Sequence, residues 1–200
     1  MRYCYAIPHY KRHRLRIAVS TILLITILGT PNNMARSDSF FIRASVTGNG
    51  TTYNQTSVDL GAFVDALGKS ILRIHNIQAR IISLNNLAMP QANANTYNAG
   101  FQLTTQTQSG LVSFTNRALI AAGTLCVGTS ATSITSLSET NDLMPQDFTN
   151  GYLVAVDQIF LGVDQSAVAD TGEVRAEIIL ECSVETLSQS AAMALALSQQ

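Results

Sequence analysis

Hydrophobic and polar residues alternate most regularly near the end of the chain. From Glu173 to Glu185, Val174, Ala176, Ile178, Leu180, Cys182 and Val184 alternate with mostly charged residues. A period of two predicts a strand with one face in a core and the other toward water or a partner. Tyr152 to Val163 is apolar at most positions and predicts a strand buried on both faces for most of its length. Between the two, Asp164 to Gly172 is rich in turn formers. Ser39 to Thr47 reads as the first strand, closed by Gly48-Asn49-Gly50, whose residues tolerate positive φ. Asp59 to Leu67 predicts one short helix. Asp59 would cap it, Leu60, Phe63, Val64 and Leu67 would share a face, and Gly68 would stop it. Ser70 to Ser83 predicts a long strand whose alternation is blurred. Phe101 to Thr107, Leu111 to Thr115, Ala118 to Ala122 and Leu125 to Thr129 predict short strands. Ala88 to Ala99 and Ser130 to Asn150 read as polar connections, and Leu187 to Ser198 as a short Ala-rich terminal helix.

About eight strands, uneven loops and little helix predict an all-β fold, an eight-stranded antiparallel β-sandwich or barrel. It would occupy residues 34–200 as a single domain, because residues 1–33 are a different kind of text. Lys11, Arg12, Arg14 and Arg16 precede an apolar run from Ile17 to Gly29, which is too short to span a membrane and has a poor cleavage site. Three origins stay open for this leader: a secretory signal or anchor, an upstream mis-assigned start with translation beginning at Met34, or a buried helix of the fold.

With its helix-bearing link Ser57-Val58-Asp59-Leu60-Gly61-Ala62-Phe63-Val64 and its two long closing strands, the stretch from Ser39 to Glu185 resembles viral capsid proteins of the single jelly-roll type. The resemblance is one of architecture. It implies a self-assembling shell subunit in a virion, a homo-oligomer with other virion proteins as further partners. It also implies that the two closing strands lie in opposite sheets, whereas a meander would pair them directly as a hairpin. The start of the body departs from the pattern: many small capsid proteins carry an Arg-rich arm for the genome, and this chain offers only Arg36 and Arg43 there.

Charge agrees with that departure. Charged residues are 12% of the chain, and five of the twelve basic ones fall in the first sixteen positions. From Met34 onward seven bases face thirteen acids, so the body is acidic and unsuited to clamping phosphates. Low charge also weakens the repulsion that keeps chains apart.

Candidate chemistry is sparse. His9 and His13 lie in the leader, and His75 sits alone on the long strand, a position that favours a structural role. No Gly-x-Ser-x-Gly, His-Glu-x-x-His, Cys-x-x-Cys or phosphate loop is present, so neither an enzyme nor a cofactor is expected. Asp164, Asp170 and Glu173 share one predicted loop and are weak candidates for Ca²⁺, with a solvated turn as the plainer reading. Glu173, Arg175, Glu177, Glu181 and Glu185 fall on one strand face and are the candidate interface with a neighbouring subunit's basic residues. Cys126 and Cys182 would pair in a secreted body, or sit as small core residues in a cytosolic one; Cys4 belongs to the leader. Asn49-Gly50-Thr51 and Asn54-Gln55-Thr56 match glycosylation acceptors by composition alone. Membrane contact through the terminal helix stays open, as does the alternative of a secreted or surface-anchored β-sandwich for adhesion.

Overall fold

The computed structural model describes residues 38–65, 67, 69–84, 96–130, 133–166 and 173–200, all in the unit Met34–Gln200. The leader, with Cys4, His9 and His13, lies outside the described residues, as do Gly68, Asp170 and most of the connection expected from Ala88.

Among the described residues nine strands are present where about eight were expected: β1(Phe40–Thr47), β2(Asn54–Asp59), β3(Ser70–Ser83), β4(Thr96–Thr104), β5(Leu119–Ser130), β6(Ser133–Leu143), β7(Tyr152–Val154), β8(Gln158–Gln165) and β9(Val174–Thr186). A 3-10 turn spans Pro145–Asp147, and one helix, α1(Gln189–Ser198), follows the last strand. The strands form two antiparallel sheets, with orders β1-β9-β3-β7 and β2-β8-β4-β5-β6. The inward residues of both sheets join in one core, in which Leu72, Ile74, Ile178 and Leu180 meet Phe101, Leu125, Leu161 and Val163. No helix among the described residues is long and apolar enough to cross a membrane.

The expectations that changed share a cause: partners distant in sequence overrode the local pattern. The predicted helix at Asp59 is a single turn. Asp59 does act as a local acceptor, taking the Gly61 N–H at 2.8 Å. Leu60 is held by the Asp157 carbonyl, and the N–H groups of Phe63 and Val64 both return to Leu60 O. Asp65 and Ser70 then exchange both backbone hydrogen bonds, and Lys69 takes a φ of 75° to close the link, so no second helical turn forms. Tyr152 to Val163 is two strands rather than one. The chain leaves the first sheet after Val154 and joins the second at Gln158, so its apolar run serves both sheets in turn. The two short strands from Ala118 and Leu125 are one strand, β5, with a register shift between Ala122 and Thr124. Gly123 lies at that shift because a Cβ there would sit 2.5 Å from the Phe101 ring and 2.7 Å from Thr140 O.

Leu111 to Thr115 forms no strand. Gln102, buried on β4, binds this loop instead: its amide donates to Gly110 O (2.9 Å) and accepts from the Val112 N–H (2.8 Å). The polar connection from Ser130 contains β6. Ser136 to Asp142 are exposed throughout, so neither face carries a hydrophobic signal. The blur in β3 is a bulge between Ile74 and Asn76, where inward positions change from Leu72 and Ile74 to Ile77 and Ile81.

Two glutamines, Gln146 on the surface and Gln199 buried, finish the edge of the four-stranded sheet. Gln146 exchanges two 3.0 Å hydrogen bonds with the backbone of Ile77, where β7 has ended. Gln199, just past α1, donates to Leu153 O (2.6 Å) and accepts from the Ala155 N–H (2.9 Å) on either side of Val154. Ser188 caps α1 through the Ala191 N–H at 3.3 Å, and Ala192 seats the helix on Ile71 and Ala155.

Candidate assembly interface

The face expected on β9 exists, but its members differ in availability. Arg175, Glu177, Ile179, Glu181, Ser183 and Glu185 all point away from the core. Glu185 is nevertheless only 4% exposed. It forms a two-pronged ion pair with Arg73 at 2.6 and 2.7 Å, so it is a structural acid rather than a free interface group. Arg73 also donates to Asn150 O, tying β3 and β9 to the turn ahead of β7. Glu177 pairs with Arg80 at 2.7 Å and lies 3.7 Å from Arg175. Glu181, together with Phe41, Arg43 and Ile179, completes the solvent face.

Glu173 belongs to a different structure, at one end of the sandwich. Its carboxylate accepts the Gly50 N–H (3.0 Å) and the Gln165 amide (2.8 Å). Gln165 also donates to Gly50 O (2.6 Å) and accepts the Tyr97 hydroxyl (2.8 Å). Gly48-Asn49-Gly50 is thereby fastened to the ends of β8 and β9. The buried polar groups of the cluster find their partners in one another. Asp164 Oδ1 accepts the Gln165 N–H (2.8 Å), and no group of three His, Cys, Asp or Glu side chains converges among the described residues.

His75 sits at the β3 bulge, 2.8 Å from Ser183 Oγ. Ser183 is 2% exposed, so the pair presents no nucleophile to solvent and fastens the bulge to β9. Cys182 and Cys126 are both free and lie in different sheets. Cys182 is a core residue as expected, whereas Cys126 is exposed, because Leu125 and Val127 take the inward positions beside it. Cys126 lines an open groove of about 520 Å³ with Asn98, Gly100, Leu111, Thr124, Asp164 and Ser166. Among the described residues no histidine lines it to activate the thiol. Asn54, in one of the two glycosylation-like triplets, donates its amide to Thr47 O at 2.7 Å.

The buried weak acids predict an alkaline limit to stability. Burial, and secondarily the Glu181 charge, pushes Cys182 up from 9.0 to about 12. Burial likewise raises Tyr97, helped by the Glu173 charge, and raises Tyr53 and Tyr152 against hydrogen bonds that lower them. Above about pH 9 the unfolded chain loses these protons while the folded chain keeps them. Stability is therefore full below that pH and falls on the way to about 12, by about 1.4 kcal/mol per pH unit for each retained proton. Urea midpoints measured across this range should fall, and the Cys182→Ala variant should fall less steeply. A flat profile would contradict the burial assigned to these groups.

The chain matches no protein-family model and no curated protein. It does match solved structures of low identity. VP1 of trichodysplasia spinulosa-associated polyomavirus, in complex with GM1 oligosaccharide, is 10% identical, with a TM-score of 0.47 over 80% of this chain and 97% of that one. An unassembled Washington University polyomavirus VP1 pentamer is 10% identical, with a TM-score of 0.38 over 80% and 96%. Desmodium yellow mottle tymovirus is 12% identical, with a TM-score of 0.34 over 79% and 90%.

Proposed function

We propose that this chain is a self-assembling capsid subunit of the jelly-roll type, in which copies pack side by side into a closed shell and no bond chemistry occurs. One observation carries the reading: β8 and β9 lie in opposite sheets, within the orders β1-β9-β3-β7 and β2-β8-β4-β5. From β6 to β9 successive strands alternate between sheets, as jelly-roll winding requires. β6 is an addition at the outer edge of the second sheet. An adhesin of meander type would pair the last two strands as a hairpin, and β8 and β9 share no ladder.

Surface chemistry supports the same reading. Phe41, Leu111, Phe114, Leu137 and Phe148 are large apolar side chains left substantially exposed on an acidic, weakly charged body. Side chains of this kind become interface anchors where a neighbouring subunit covers them. Of the β9 residues Arg175, Glu177 and Glu181, the last is the one offered to a neighbour, while Glu177 is engaged with Arg80 and Arg175. Residues 1–33 stand outside the working fold on this reading, which begins near Met34, and the finished protein resides in the virion. Size-exclusion chromatography of the full chain with light scattering tests the reading. Particles far above the 21.5 kDa chain support it, and a clean monomer at high concentration contradicts it.

A further inference from the structure

The outer face of the four-stranded sheet carries a small checkerboard. Phe41 on β1 lies opposite Glu181 on β9, and in the next outward row Arg43 lies opposite Ile179. The two apolar residues occupy one diagonal and the two charges the other. Phe41 is 58% exposed and Ile179 37%. Other acids on this face are committed within the chain, Glu177 to Arg80 and Glu185 to Arg73. Among the described residues Arg43 and Glu181 have no hydrogen-bond or ion-pair partner, although they are diagonal neighbours. One positive charge, one negative charge and two apolar side chains are thus left over together.

That arrangement is self-complementary in only one way when two such faces meet. A two-fold axis along the strands sets Phe41 against Glu181, and one across the strands sets Phe41 against Arg43. An axis along the charged diagonal sets each charge against its own copy. An axis along the apolar diagonal sets Phe41 on Phe41, Ile179 on Ile179, and Arg43 on Glu181 at both ends. Neighbouring strands lie about 5 Å apart and outward residues about 7 Å apart along a strand, so this axis is inclined about 35° to the strands. The two sheets would then cross at about 70°, near the orthogonal class of sheet packing.

We propose that this face is a two-fold contact between two copies of the chain, centred on Phe41 and Ile179 and closed by reciprocal Arg43–Glu181 pairs. The proposal rests on the reading of the chain as a self-assembling subunit and names one of its contacts. Four side chains are the centre of such a contact and not its whole area. A stable interface buries about 1,600 Å² in total, so this one is weak alone and strengthened by repetition in an assembly.

Sedimentation of the full chain tests it, with Arg43→Glu, Glu181→Arg and the double reversal compared with the native protein. All four positions are on the surface, and unchanged circular dichroism and thermal midpoints verify that the variants fold. Each single reversal sets two like-charge pairs across the axis and should weaken association about tenfold, while the double reversal should return it to within about threefold of native. Association that persists unchanged in both single variants overturns this face, points to a different occupant for it, and leaves the assembly reading standing. A native chain that never associates overturns both.

Discussion

Replacing Glu185 by alanine should destabilise the protein by about 3–5 kcal/mol, because it strands a largely buried Arg73 without its counter-charge. The two are joined by hydrogen bonds of 2.6 and 2.7 Å, and their side chains are only 5% and 14% exposed. Arg73 is the centre of a three-way junction: it holds β9 through Glu185 and the turn ahead of β7 through Asn150 O. Glu185→Gln keeps the volume but not the charge and should cost somewhat less. A double replacement by apolar residues of similar size should recover most of the loss, since the pair's desolvation is then no longer required. Urea unfolding with unchanged m-values measures all three. A cost below about 1 kcal/mol for Glu185→Ala would show that Arg73 finds water or another acceptor.

A second substitution at the same junction should be as damaging for a different reason. Gly151 has a φ of 63°, and a Cβ there would fall on the carbonyl oxygen of Ile74, beside the β3 bulge. Gly151→Ala combines left-handed strain, about 1 kcal/mol, with a backbone collision that cannot be relieved by a rotamer change. We expect a total of about 3 kcal/mol, or a thermal midpoint lower by about 10 °C. Gly50 provides the control: its φ is 60°, and an added methyl group would meet nothing within 4 Å. Gly50→Ala should cost only the strain. Equal losses at the two glycines would remove the collision from the explanation.

This junction also shows where the fold is legible in the sequence. β9 follows from its alternation because apolar residues on its core face alternate with mostly polar or charged ones on the other. β3 has the bounds that its β-branched run suggests, and its blurred alternation is itself the trace of the bulge at His75. Tyr152 to Val163 is harder to read. Its residues are apolar on both sides because they enter the core from two sheets in succession, and nothing local marks the change at Ala155 to Asp157. β6 has the opposite problem, since a strand exposed on both faces leaves no period to detect.

The site is less legible than the fold. Arg175, Glu177, Glu181 and Glu185 lie on β9 and Glu173 just before it, yet spacing cannot tell a free glutamate from one already paired. Arg73 and Gly50, which take up Glu185 and Glu173, lie over a hundred residues away. Gln102, Gln146, Gln165 and Gln199 leave no trace in the pattern. Each is an amide that replaces a strand or loop partner, and for Gln102, Gln165 and Gln199 nothing in the pattern gives a sign of burial. Arg43, in sequence only one of two arginines in a weak genome arm, becomes informative once β1 is placed beside β9.

If this winding of nine strands makes a shell subunit, the purified full chain should form shells without help. Electron microscopy at high protein concentration decides the matter. Closed particles of uniform diameter are the predicted result, and fields of dispersed monomers would contradict it.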